Sequence, residues 1–373
     1  MVVISVAESH IKPVLYRGRP YKRVGSTNRE MSVEEITRLV LEGRGVTWDE
    51  LPEIRASIDD LALEKVKRFT ELANRVGRRP IPEGGEPLKV LVKLGLIQEG
   101  KPTRAAILLF GDRPQRFYPQ AILKMGRFKS ETLIVDDKEI EGTLFEQVEG
   151  AMLYFRDRLQ TRFEFTGEPQ RKVIWEYPLD ALREAVINAV CHRDYLSNAL
   201  SQIRIYDDRA VVWNSGKLPE PLDPEKLKGE HESIPRNRRI AEMFFYAGYI
   251  EPWGGGTLKI LEECGKSELP EPDFIDDGYS FRIIFRKDIL TEEYLRKLGL
   301  NERQIKAVVY VKEKGKVTNR EYQKINEVSR QRSSRELTDL VNLDILLKYG
   351  ETGRDTYYTL VRKTVNKENA SNA

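Results

Sequence analysis

Glu184-Ala185-Val186-Ile187-Asn188-Ala189-Val190-Cys191-His192-Arg193-Asp194-Tyr195 is the stretch of this chain that decides its reading. On a helix, Glu184, Asn188 and His192 follow one another at intervals of four and share a face. Leu182, Val186, Ala189 and Val190 form a separate apolar stripe suited to lying on a sheet. One helix therefore offers a carboxylate, a carboxamide and an imidazole in a row above a buried floor. A carboxylate can orient a water, and a carboxamide oxygen can ligate magnesium. Such a row is equipment for a nucleoside triphosphate. The Glu-x-x-x-Asn spacing alone also describes a solvated helix face, so its neighbours must decide.

Those neighbours fit. Pro178 suits a first-turn position, where no N–H partner is needed. Residues 201–206 alternate as a strand, Asp207 and Asp208 make a turn, and residues 210–213 form a second strand ending in Asn214-Ser215-Gly216. Further on, Trp253-Gly254-Gly255-Gly256-Thr257 opens another helix. Glycines at a helix start let backbone amides approach phosphate oxygens, and the helix dipole favours the negative charge. Between these landmarks, residues 217–235 are charged, proline-bearing and without period, which predicts a mobile lid.

The order of these motifs resembles the nucleotide-binding domain of the GHKL class (gyrase, Hsp90, histidine kinases, MutL). More narrowly it resembles the divergent branch that follows a Schlafen AlbA-like domain in prokaryotic proteins, labelled transcriptional regulators or RecG-related ATP-dependent DNA helicases. The branch's E-A-x-x-N-A-x-x-H-R-D-Y stands complete at 184–195. Its D-D-R and N-P-G appear as Asp207-Asp208-Arg209 and Asn214-Ser215-Gly216, with Ser215 in place of the proline. Its R-N and E-x-W-G-x-G elements match Arg236-Asn237 and residues 251–256. The resemblance implies ATP and Mg²⁺ as cofactors, with Glu184 as the water-orienting base and Asn188 as the magnesium ligand. Asn214 takes the place of an aspartate that holds the adenine amino group, and its carboxamide accepts that bond less strongly. Gly216 leaves room for the base, and Gly254, Gly255, Gly256 and Thr257 surround the phosphates, with His192 beside them. No lysine stands where some relatives send one to the terminal phosphate, so the resemblance implies binding and leaves the enzyme question at a possible weak Mg-dependent ATPase.

Two other motifs are excluded. Residues 95–101 follow P-loop spacing, but Pro102 replaces the hydroxyl residue that meets magnesium, and residues 104–110 read as a buried strand where a P-loop needs a helix. His192-Arg193-Asp194 matches the start of a kinase catalytic loop, yet Asn198 falls one residue short of its magnesium asparagine, and Asp-Phe-Gly is absent.

Composition sets the outer bounds. The 373 residues suffice for two to four domains, and 40% apolar with 32% charged residues describes a soluble chain with sizeable cores. No apolar run approaches a membrane span, and no signal peptide is visible. Cys191 and Cys264 lack paired spacing, which suits a reducing cytoplasm. Three histidines, His10, His192 and His231, are too scattered to suggest a metal site. Residues 301–373 carry 15 Lys/Arg against 10 Asp/Glu, leaving 47 against 49 elsewhere, so the basic excess belongs to the tail.

That tail reads as three helices and a hairpin. The first helix starts at Asn301 and stops at Gly315. The second is capped by Thr318 with Glu321 three residues on. The third runs from about Arg330 and presents Arg330, Gln331, Arg332 and Arg335 on its early face. Strands at 345–349 and 356–361 flank a turn containing Arg354. The pattern predicts a winged helix-turn-helix whose arginines meet DNA bases and phosphates, with a protein-binding winged helix as the alternative. At the front, strands at 2–5, 14–16 and 21–24 and a polar turn at 23–29 precede a helix boxed by Ser32 and Glu35. This stretch resembles the closing third of a Schlafen AlbA-like domain. Helices are expected at 59–75 and 144–159, an apolar element at 88–96, strands at 120–128 and 133–135, and a hairpin at 163–177.

The expected architecture is multidomain α/β (α+β): a GHKL-type sandwich with a mixed sheet, plus the winged helix. Its expected divisions are a partial AlbA-like domain at 1–48, a connector at 49–162, the ATP-binding domain at 163–290, the winged helix at 296–365 and a disordered tail at 366–373. The expected function is an ATP-binding, DNA-binding transcriptional regulator, cytoplasmic and dimeric. A nucleic-acid-dependent ATPase in repair or defence, and a scaffold with a vestigial nucleotide site, are the alternatives.

Overall fold

In the computed structural model the chain divides into two units, residues 1–287 and 288–373. The structure describes residues 9, 12–81, 85–164, 172–251, 254–267, 269–287, 290, 292–350 and 356–361. The strand expected at 2–5 and the tail at 366–373 lie outside them.

The first unit opens with a three-stranded antiparallel sheet of β1 (Leu15–Tyr16), β2 (Arg19–Val24) and β3 (Thr27–Glu30). The polar stretch 23–29 is thus a hairpin rather than a long turn. Arg23 closes it by donating to the Gly25 carbonyl at 3.0 Å and to Asn28 Oδ1 at 3.1 Å. Helix α1 (Val33–Arg44) follows the expected Ser32–Glu35 box, with Ser32 N–H donating to Glu35 Oε2 at 2.9 Å. Next come α2 (Leu63–Val76), α3 (Pro87–Lys93) and the short hairpin β4 (Ile97–Gln98) and β5 (Lys101–Pro102). Helix α2 starts later than its apolar period suggests because 58–60 form a tight turn under the Ser57–Asp60 box.

The P-loop-like residues therefore make a β-hairpin. Lys101 donates to the Ala56 carbonyl at 2.9 Å instead of facing a phosphate. Immediately beyond, the expected strand at 104–110 is a helix, α4 (Arg104–Phe110). Thr103 caps it by accepting from Ala106 N–H at 3.2 Å. Every residue from Ala105 to Phe110 is fully buried, so the run shows no polar face and no 3.6-residue period. A short apolar run of this kind is ambiguous between strand and helix.

The centre of the unit is built from β6 (Leu123–Phe128), β7 (Ile134–Ile140), α5 (Leu144–Arg158), the hairpin β8 (Thr161–Glu164) and β9 (Lys172–Trp175), α6 (Leu179–His192), β10 (Ser201–Ile205), β11 (Arg209–Ser215), α7 (Arg238–Tyr246), α8 (Gly256–Lys266), β12 (Asp273–Asp276) and β13 (Ser280–Arg286). Six strands form one mixed sheet in the order β12-β13-β11-β10-β6-β7. β6 and β10 run parallel, and the other pairs are antiparallel. The sheet draws strands from both sides of residue 162. Its inner face, including Leu123, Met125, Ile203, Ile205, Val212 and Ile283, is buried under a layer to which α5, α6 and α8 contribute. Burying one such side chain stabilises by about 1.5–3 kcal/mol, so alternation along β6, β10 and β11 fixes their register.

In the second unit, α9 (Glu292–Lys297), α10 (Glu302–Lys314), α11 (Asn319–Asn326) and α12 (Arg330–Asn342) share a core with a three-stranded sheet of β14 (Val317–Thr318), β15 (Leu346–Tyr349) and β16 (Tyr357–Leu360), in the order β14-β16-β15. The caps are those expected. Asn301 Oδ1 accepts from Arg303 and Gln304, Gly315 ends α10, and Thr318 forms its box with Glu321. Glu336 is buried among Arg303, at 2.6 Å, and the Tyr322 hydroxyl, at 2.7 Å, which hold its carboxyl below the usual range.

One buried acid in the first unit joins distant segments. Asp49 Oδ2 accepts the Ile240 N–H at 2.9 Å, satisfying a free donor in the first turn of α7. Burial pushes its carboxyl up to about 6. A folded-state pKa raised above the unfolded value adds stability that is complete below about pH 4 and is lost as pH rises through 6. Asn at this position keeps the acceptor without the charge. Asp49→Asn should therefore gain roughly 1–3 kcal/mol relative to the parent between pH 4.5 and 7.5. Urea unfolding at both pH values measures this, and parallel curves would contradict a buried charge at Asp49.

Candidate nucleotide site

Helix α6 places the three polar residues of its hallmark in one pocket of the first unit. Glu184, Asn188 and His192 line it together with Asn214 and Gly216 from β11 and its end, and Gly254, Gly256 and Thr257 from the start of α8. Gly255 lies just before α8 and is not among the lining residues. Val212 and Ile283, cross-strand partners on the inner sheet face, give the pocket an apolar floor. The loop 217–235 supplies Leu218, Leu222 and Leu227 on another side. One end of the cavity is thus floored by apolar side chains around the Asn214 amide, with Lys217 and Arg236 at its edge, and the other is polar and glycine-rich.

At the polar end, Asn188 Nδ2 faces Glu184 Oε1 at 3.5 Å. A Cβ on Gly256 would run into that same carboxylate oxygen and lie 3.3 Å from Asn188 Nδ2. A Cβ on Gly254, where φ is +70°, would collide with the His231 carbonyl. The glycines allow the backbone at the start of α8 to pass close to α6 on one side and to the 231–232 loop on the other. Among the described residues the buried Thr257 hydroxyl has no hydrogen-bond partner. An orphaned donor beside the first turn of a helix suits an anion that supplies acceptors. Among the described residues the Asn188 carboxamide oxygen likewise has no partner, which fits a cation held jointly with phosphates. No group of three or more His, Cys, Asp or Glu among the described residues converges as a metal site by itself.

Electrostatics separate the polar residues. Burial raises the Glu184 carboxyl above the usual range, opposed by Lys259 and Arg183. Lys259 is a cation near this end that the sequence did not single out. It stands one helical turn after Gly255 on α8, and that spacing was the available signal. Burial and the Arg236 guanidinium push the His192 imidazole down to about 4, so it is neutral around pH 7. At the apolar end, Asn214 is 7% exposed and its Oδ1 accepts from Ser201 Oγ at 2.7 Å. The space at Gly216 is closed by Asp194 Cβ and the Arg236 guanidinium, 3.0 and 3.2 Å from where a Cβ would sit.

Ala185 and Ala189 also line the pocket, whereas the last three residues of the hallmark turn away from it. Arg193 donates to the carbonyls of Ile122, at 3.2 Å, and Ala199, at 2.7 Å. Asp194 pairs with Arg38 and accepts the Leu196 N–H at 3.1 Å. Tyr195 donates to the Val190 carbonyl at 2.7 Å and stacks on Trp48. Asn237 donates to the carbonyls of Cys191 and Arg193, both at 2.8 Å, closing the C-terminal end of α6. Among the sequence-expected DNA contacts, Arg330, Gln331, Arg332 and Arg335 are exposed on the first two turns of α12. Arg354 lies outside the described residues.

Residues 199–285 match the family model described as "Putative ATP-dependent DNA helicase recG C-terminal". The matched segment holds Asn214, Gly216 and the glycine loop, while Glu184 and Asn188 precede it. No curated protein matches the chain. Among solved structures, the DIP2311 protein from Corynebacterium diphtheriae is similar at 14% identity, with a TM-score of 0.50 over 92% of this chain and 76% of that one. At that identity the likeness concerns the fold. Fold and match together support a multidomain α/β protein carrying a RecG-related, ATPase-like domain. No helix among the described residues is long and apolar enough to cross a membrane.

A neutral His192 has a direct consequence. Nucleotide affinity should show no step attributable to this imidazole between about pH 5.5 and 8, the range in which an ordinary histidine changes charge. Titrations of the parent and His192→Gln across that range should run parallel. A step near pH 6.5 that vanishes in the variant would place a charged imidazole in the pocket.

Proposed function

We propose that this protein is an ATP-binding, DNA-binding regulator in which the nucleotide state of the ATPase-like domain is read out by a C-terminal winged helix. The observation that carries the first half is the pocket itself. An apolar slot with one buried amide leads to a glycine-lined helix start bearing an orphaned hydroxyl, with Glu184 and Asn188 beside it. In this reading the base enters the apolar end and the phosphates reach Gly254, Gly256 and Thr257. The Asn188 oxygen would hold magnesium together with the phosphates, neutralising their charge. Glu184 would orient a water, and the loop 217–235 would cover the nucleotide. The family match supports nucleotide handling by this region.

The second half rests on α10, α11, α12 and the three-stranded sheet, the element order of a winged helix. Ser329 caps α12, and four exposed polar side chains stand at its start, where such a helix enters a major groove. In this reading the protein is a cytoplasmic dimer, which would pair two winged helices on two half-sites. The alternative, a nucleic-acid-dependent ATPase, is favoured by one observation. Glu184 is buried at the glycine-lined end with a raised pKa, as a general base requires.

Calorimetric titration of ATP–Mg²⁺ tests the first half. Asn188→Ala should weaken binding at least tenfold, while Glu184→Gln should hold affinity within a few-fold and abolish any turnover. Absence of binding by the parent would leave the pocket a scaffold. DNA-stimulated turnover lost in Glu184→Gln would favour the ATPase.

For the second half, Arg332→Ala with Arg335→Ala should lower the slope of log affinity against log salt by about 2, since each phosphate contact contributes about 0.9. An unchanged slope in a salt series of DNA-binding isotherms would remove α12 from the DNA interface.

A further inference from the structure

At the end of the pocket formed by Val212, Ile283 and Gly216, the buried polar side chain on the sheet is an amide, Asn214, with the Arg236 guanidinium beside Gly216. Asn214 sits on the inner sheet face beside Val212, opposite Phe281. Its Oδ1 uses one of two lone pairs to accept from Ser201 Oγ at 2.7 Å. Among the described residues its Nδ2 donates to none. Asn214 thus retains both capacities, a free lone pair and two N–H donors. The Ser201 hydroxyl adds adaptability, because it can donate to the amide oxygen or, with the amide turned over, accept from its nitrogen. A carboxylate in the same place could only accept.

We infer that this pocket takes purine nucleotides of both the 6-amino and the 6-oxo kind, adenine and guanine alike. The inference rests on the nucleotide reading given above. It specifies which bases the site accepts. With adenine, Asn214 Oδ1 accepts from the exocyclic amine. With guanine, the turned amide donates from Nδ2 to the 6-oxo group while Oδ1 accepts from the ring N–H. Ser201 completes either arrangement without a change in backbone. Val212, Ile283 and Leu222 supply apolar wall that carries no information about the base edge, and Lys217 and Arg236 line the same pocket.

The test uses the full chain and three ligands, ATP–Mg²⁺, GTP–Mg²⁺ and the triphosphate of unsubstituted purine riboside, which has no group at the 6-position. ATP and GTP should bind within about tenfold of each other, and each should exceed the unsubstituted analogue by about fivefold or more, the effect of one net hydrogen bond. Asn214→Asp should keep ATP within a few-fold and weaken GTP tenfold or more, because a carboxylate repels the 6-oxo group. The parent's ATP-to-GTP ratio decides the matter even if that variant does not fold. GTP binding more than a hundredfold weaker than ATP would overturn dual recognition and leave the nucleotide reading standing. Equal affinity for all three ligands would overturn it by showing that Asn214 does not touch the base. Failure of all three to bind would instead overturn the nucleotide reading beneath it.

Discussion

A guanidinium buried without a carboxylate partner among the bonds it makes holds the first unit in its arrangement. Arg193 is 2% exposed and directs its N–H groups at two carbonyls, those of Ile122 and Ala199. These residues precede β6 and β10, the parallel pair at the middle of the sheet, whose register begins with Leu123 opposite Ser201. A parallel pair has no tight turn to set its register. Burial alternation sets it, and Arg193 braces it by holding both strand entrances at once, from the end of α6. Desolvating a charge costs several kcal/mol, which carbonyl dipoles and the Tyr195 ring offset in part. The site leaves little room for exchange: lysine lacks the planar fork that reaches both carbonyls.

From that joint the pocket geometry follows. α6 ends where Arg193 is fastened, and Asn237 closes its last carbonyls while Asp49 satisfies the first turn of the helix after Asn237. His192 immediately precedes Arg193, and Asn188 and Glu184 stand one and two turns before His192, so all three face Asn214 and the start of α8. Close approach finishes the work. The glycines at 254 and 256 allow α8 to begin against Glu184 and the 231–232 loop: a Cβ at 254 would collide with the His231 carbonyl, and one at 256 would displace the Glu184 carboxylate.

What could be read in the sequence was local. The α6 face, the hairpin of β10 and β11, and the boxes at Ser32, Asn301 and Thr318 depend on contacts within four residues or on strand alternation, and each stands where its residues indicate. What could not be read was either wholly buried or far apart in the chain. α4 shows no period because none of its apolar residues meets water. The Asp49 bond to α7 spans 191 residues, and the sheet partnership of β6 with β10 spans nearly eighty. The apolar liners Leu222 and Leu227 lie in a stretch whose composition predicts only a loop. Arg193 and Tyr195 were legible as residues of a motif but not as structural ones, since nothing in a dodecapeptide says which side chains turn inward.

That division bears on how the motif should be weighed. Glu184, Asn188 and His192 face the pocket, whereas Arg193, Asp194, Tyr195 and the partner Asn237 fasten α6 to the sheet and to Trp48 and Arg38. The second set serves the fold rather than the pocket. The length of the match at 184–195 thus argues for architecture more strongly than for chemistry. The case for nucleotide turnover narrows to a few atoms: the buried Glu184 carboxyl, the unpartnered Asn188 oxygen and the Thr257 hydroxyl. Lys259 and Arg183 oppose the upward shift that burial imposes on the Glu184 carboxyl. In the regulator reading proposed above, slow turnover at such a base would let a bound nucleotide persist long enough to serve as a signal.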